Sequence, residues 1–187
     1  MFHLDGAVLC SGMRPDKLAP RMKQKGFVLS GLTLGIKGGY MKIWVDADAC
    51  PAVVKNILFK AADRTRVELT MVANHPMKIP QRNYITFLQV ASGFDEADNR
   101  ILEHLGKGDL VITADIPLAV QVLEKEGIAL NPRGHLYSNE SIQEQLKMRD
   151  FKEILRDSGV DTGGPAPMNQ KNTSQFANHL NKWLANI

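Results

Sequence analysis

Cysteine is scarce in this 187-residue chain. Cys10 and Cys50 stand far apart with no close pairing pattern, which excludes a disulfide framework and a thiolate zinc site. No apolar run approaches the length needed to cross a bilayer. The N-terminus lacks both the apolar core and the small-residue cleavage site of a secretory signal. These absences lead us to expect a reduced, cytoplasmic protein with no membrane attachment. No H-x-x-x-H pair occurs, so His75, His104 and His135 read as surface or capping residues and not as zinc ligands. A strong excess of charge of one sign is missing too. The formal net charge is +3, but six basic and only two acidic residues fall in residues 1–40. Residues 41–187 are therefore close to neutral, and affinity for nucleic acid there requires a local patch, or metal ions that invert the sign of an acidic site.

What is present suits one domain with a sizeable core: 44% of the residues are hydrophobic and 23% charged. Residues 1–40 show no sustained period, and Gly26, Gly31, Gly35, Gly38 and Gly39 lie among scattered lysines. They read as an extension, translated upstream of a true start at Met41 and disordered or loosely packed; a basic arm for RNA or a partner is the other reading.

From Met41 onward strands and helices alternate. The pattern predicts strands over 41–45, 67–73, 84–90, 110–114 and 128–130. It predicts helices over 51–65, 95–105, 117–126, 138–156 with a break near Arg149, and 173–184. Pro51 suits a first helical turn. Pro76 and Pro80 break the loop between the second and third strands, and residues 160–168 read as a mobile loop. Continuous apolar strands alternating with helices imply a mostly parallel sheet covered on both faces. Right-handed crossovers then bring the strands' carboxyl ends to one edge, and sites form there, where the strand order reverses.

The aspartates fall on that edge. In K-I-W-V-D-A-D-A-C-P, Asp46 and Asp48 follow the first strand; Asp115 follows the fourth, in V-I-T-A-D; Asp95 and Asp98 share a face at the start of the intervening helix. Any one of Asp48, Asp95 and Asp115 could be a helix cap. Together they are costly, because two like charges about 4 Å apart repel by roughly 4 kcal/mol at an effective dielectric near 20. A cation or shared protons must offset this. Oxygen-only ligands select Mg²⁺ or Mn²⁺, and such ions promote phosphodiester hydrolysis. Arg133, in N-P-R-G-H after the fifth strand, is placed to hold a substrate phosphate or to pair with a carboxylate. Thr113 and Ser92 are placed to donate hydrogen bonds to ligating oxygens, or to serve as strand-end packing. Lys78 and Arg82 are candidates for nucleic-acid backbone contacts or for a solvated loop. Cys50, ahead of Pro51, reads as a packed small residue.

The segments M-K-I-W-V-D-A-D-A-C-P, A-S-G-F-D-E-A-D-N-R-I, D-L-V-I-T-A-D-I-P-L-A and the late G-G-P, in this order, resemble the bacterial YaiI/YqxD family, proteins of uncharacterised function placed among PIN-like domains. The resemblance covers residues 41–187. It implies a PIN-like, three-layer α/β/α sandwich. From the nuclease members of that superfamily it implies Mg²⁺- or Mn²⁺-dependent cutting of RNA, with Asp46, Asp95, Asp98 and Asp115 as the acidic ligands and Asp48 as an addition. K-N-T (171–173) precedes the last helix, where Asn172 is placed to cap it. Two other readings stand beside this one: a non-catalytic RNA- or protein-binding PIN-like module, and a phosphatase of the haloacid dehalogenase type, in which the first Asp of D-x-D is a nucleophile and the second a general acid.

Overall fold

Strand β1 (Ile43–Asp46) alternates cleanly: Ile43 and Val45 are fully buried on one side and Trp44 is buried on the other. That alternation is the two-residue period of a strand covered on both faces. A computed structural model of the chain describes residues 41–93, 95–159 and 167–187, so the expectations for residues 1–40, and for 160–166 as part of a mobile loop, lie outside the described residues.

The elements run β1, α1 (Ala52–Thr65), β2 (Leu69–Ala73), β3 (Ile85–Gln89), α2 (Glu96–His104), β4 (Leu110–Ile112), α3 (Ile116–Glu124), β5 (Ile128–Leu130), α4 (Asn139–Asp157) and α5 (Gln170–Leu184). The five strands form one parallel sheet in the order β3-β2-β1-β4-β5. Helices cover both faces, giving three α/β/α layers. Val54 and Leu58 of α1 and Phe176, Leu180 and Trp183 of α5 pack against Ile43, Val45, Met71 and Ile112. On the other face Ile101 of α2, Leu118 and Val122 of α3 and Ile142 of α4 meet Trp44, Val72, Val111 and Ala129.

Four details differ from the sequence reading. Pro51 is the N-cap of α1 and not a residue of its first turn. Helix α4 is continuous through Arg149, because no proline or glycine between 139 and 157 removes or loosens a backbone hydrogen bond. Helix α5 begins at Gln170, three residues early, and its cap is Asn169. The Asn169 side chain accepts from the Asn172 N–H at 2.9 Å while the Asn172 side chain returns to the Asn169 N–H at 3.3 Å, so Asn172 completes the capping box from inside the helix.

The amino edge of the sheet is fastened by Asp109, 4% exposed. Its carboxylate accepts from the Lys42 N–H at 2.8 Å, the Trp44 indole N–H at 3.1 Å and the Gly106 N–H at 2.9 Å. This locks the start of β1 to the start of β4 and fixes the register that carries both strands to the opposite edge. No helix among the described residues is long and apolar enough to cross a membrane.

Candidate active site

The strand order reverses between β1 and β4: the chain leaves β1 toward β2 and β3, then returns to lay β4 and β5 on the other side. A crevice at the carboxyl ends of such strands is where open α/β sheets bind their ligands. Asp46 is the last residue of β1, Thr113 follows β4, and Asp115 caps α3. Thr113 is fully buried. Its hydroxyl donates to Asp46 Oδ2 at 3.4 Å and accepts from the Asp115 N–H at 2.9 Å, so a single side chain orients the first and last acids across the switch point.

Each aspartate occupies a different environment. Asp46 is half-buried. Burial raises its carboxyl above the usual range; the Ala49 N–H and the Thr113 hydroxyl partly counter this, and the charges of Asp48 and Asp115 add to it. Asp98, on the first turn of α2, is pushed up to about 7, first by burial and then by Asp115, Asp46 and Asp95. Near neutral pH it is therefore close to half protonated, the condition of an acid group crowded by other acids. Asp115 commits Oδ2 to the Leu118 N–H at 3.0 Å, an N-cap bond.

Asp95 is no side-chain cap. It sits at φ 58° in the left-handed region, its carboxylate makes no capping bond, and only its carbonyl enters the helix, accepting from the Asn99 N–H at 2.8 Å. Aspartate tolerates this conformation better than most residues, at a cost of order 1 kcal/mol. Asp48 is engaged by the β2 end: Oδ2 accepts from the Asn74 N–H at 2.7 Å and Oδ1 lies 3.4 Å from His75 Nδ1, which ties the end of β1 to the end of β2.

Arg133 lies at the same edge, in the turn after β5. Its N–H donates to Asn131 Oδ1 at 2.8 Å. Gly134, at φ +88°, allows the turn to press on α5, where a Cβ would come within 2.6 Å of the Phe176 nitrogen. Ser92 is exposed and makes no side-chain hydrogen bond among the described residues. Arg82 is at the opposite edge, before β3, with Nε 3.1 Å from Asp63 Oδ1; this ion pair occupies a cation that the sequence offered for nucleic acid. Cys50 is buried and its thiol is pushed up to about 12, mainly by burial, the condition of an inert packing residue.

Sequence reasoning missed Tyr137. It is buried, its hydroxyl accepts from Asn131 Nδ2 at 2.8 Å, and its ionisation is opposed by burial and by the Asp115 charge. No local pattern marks it, because the antiparallel bridge between Leu130 and Leu136 that brings it back to the edge is a tertiary pairing.

The donor set at the crevice is all carboxylate oxygen, with the Asp46 and Asp98 carboxyls raised first by burial and then by neighbouring acids, and this chemistry fits a hard divalent cation. The spacing is open. Among the described residues no three His, Cys, Asp or Glu side chains stand ready to hold one ion, so sharing an ion requires the carboxylates to turn toward one another.

A UPF0178 protein of Hydrogenovibrio crunogenus is 62% identical over 144 residues, which is 77% of this chain and 95% of the relative. One from Yersinia enterocolitica is 60% identical over 144 residues with the same coverage. One from Pectobacterium atrosepticum is 57% identical over 147 residues, 79% of this chain and 98% of the relative. No solved structure matches. The family model described as the uncharacterised YaiI/YqxD family matches residues 44–186, every described site residue included, and the chain belongs to that family.

Proposed function

We propose that the chain is a divalent-metal-dependent phosphodiesterase that cuts RNA at the carboxyl edge of its sheet. The observation that carries this reading is the position of Asp98, whose carboxyl is pushed up to about 7, first by burial and then by the charges of Asp115, Asp46 and Asp95. Acids from three segments are held close enough to oppose the ionisation of Asp98, a costly arrangement unless something at the site uses it. Asp46, Asp98 and Asp115 are the residues that would hold Mg²⁺ or Mn²⁺. When bound, the ion supplies a more acidic water and offsets charge developing on the phosphoryl group.

The chain's own residues do the remaining work. Thr113 keeps the Asp46 carboxylate facing the crevice, and the Leu118 N–H holds one oxygen of Asp115 so that the other is left for the site. The Asn131–His135 turn sets Arg133 beside the same edge, where a guanidinium can take a substrate phosphate. RNA as the substrate class rests on the resemblance to PIN-like nucleases.

The open spacing of the carboxylates favours a second reading, a PIN-like module that binds RNA or protein without cleaving it. The phosphatase reading loses ground, because the Gly-Asp pair that would supply a later acidic motif, Gly108-Asp109, is locked at the amino edge. Incubation of labelled RNA with Mn²⁺ separates the first two. Cleavage abolished by chelator and by Asp46→Asn supports the nuclease, whereas RNA binding that survives chelation without cleavage supports the module.

A further inference from the structure

Helix α4 is 19 residues long and buries only Ile142. On the side away from Ile142, at spacings of three, it exposes Met148 by 54%, Phe151 by 55% and Ile154 by 62%, with half-buried Leu155, four residues after Phe151, beside them. Three large apolar side chains on one exposed helical face are more than scattered surface residues account for. Glu144, seven residues before Phe151, lies in line with it, Lys152 borders the face on the Met148 side and Lys147 and Asp150 border the other, all exposed and without an ion pair among the described residues.

We propose that this face of α4 pairs with the same face of a second copy of the chain, antiparallel, about a two-fold axis beside Met148. The charge pattern selects both the occupant and the direction. Glu144 lies four residues before Met148 and Lys152 four after it. A two-fold axis there sets Glu144 of each copy against Lys152 of the other, and it sets Lys147 beside Asp150. Parallel pairing in register sets Glu144 on Glu144 and Lys152 on Lys152 and is repulsive. The antiparallel pair is isologous, as a closed dimer requires. It stacks Met148 on its own copy, covers Phe151, and repeats each complementary charge pair twice. One helical face is at the low end of interface sizes, so the dimer forms in the micromolar range.

The test is sedimentation velocity of the full chain from low to high micromolar concentration. It compares wild type with Phe151→Glu, with Lys152→Glu and with the swapped double variant Glu144→Lys/Lys152→Glu; thermal melts confirm that each is folded. A wild-type dimer, a monomeric Phe151→Glu, a Lys152→Glu dimer weakened about tenfold or more and a recovered double variant are expected. A dimer indifferent to Phe151→Glu overturns the proposal. So does a wild-type monomer at every concentration: protection of Met148 from peroxide in that monomer assigns the face to another segment of the same chain, and free oxidation leaves it to a different protein.

Discussion

The Thr113 hydroxyl stands between Asp46 and Asp115, donating to one carboxylate and accepting from the backbone N–H of the other. Valine keeps the shape of threonine and removes both bonds. Thr113→Val is expected to leave the partly buried Asp115 N–H without its acceptor, at about 1–2 kcal/mol of stability. It also releases the Asp46 carboxylate, which is expected to weaken Mn²⁺ binding roughly 10-fold or more. Thr113→Ser, which keeps the hydroxyl, should retain most of both. Denaturant melts and calorimetry on the two variants check this.

Asp98 makes stability depend on pH in an unusual direction. Its carboxyl is raised from 3.8 in the unfolded chain to about 7 in the folded one. Between those values the folded state binds more protons than the unfolded state, so this group lowers stability progressively as pH rises from 3.8 and stops doing so above about 7. Asp98→Asn removes the penalty. In metal-free buffer the variant should be more stable than wild type at pH 8 by about 1 kcal/mol, after discounting for solvent screening of a half-exposed group. That corresponds to a melting temperature about 2–4 °C higher, with the difference vanishing near pH 4. A gain in stability that accompanies loss of RNA cleavage is the expected signature of a group kept for function.

Asp109 supplies the structural control. Its carboxylate accepts three N–H groups at the amino edge, remote from the crevice. Asn offers one acceptor oxygen and turns an NH₂ toward donors. Asp109→Asn should therefore cost about 2–4 kcal/mol while leaving Mn²⁺ affinity unchanged in the protein that remains folded. Parallel chemical melts and calorimetry separate the two effects.

The three-layer architecture was legible because each strand is short, apolar and followed by turn chemistry, and because the alternation of strands and helices admits few topologies. The edge on which the aspartates gather followed from handedness alone. What each aspartate does there did not. Whether Asp115 caps, whether Asp95 takes a left-handed backbone and whether Asp48 turns to Asn74 are decided by contacts between segments far apart in sequence. Asp109 and Tyr137 escaped for the same reason. Asp109 precedes a strand, where sequence position suggests a solvated turn, yet the Trp44 indole from a different strand closes over it. The start of α5 was misplaced because two asparagines three residues apart both fit the cap, and only the reciprocal bonds between them show which is first.

The most direct test of the site is a calorimetric titration of Mn²⁺ into the full chain and into Asp46→Asn/Asp115→Asn, both confirmed folded. A metal site built from these carboxylates gives micromolar binding in the wild type that is lost in the double variant. Absence of binding in both contradicts it, and would leave the acids at this edge as caps and partner contacts.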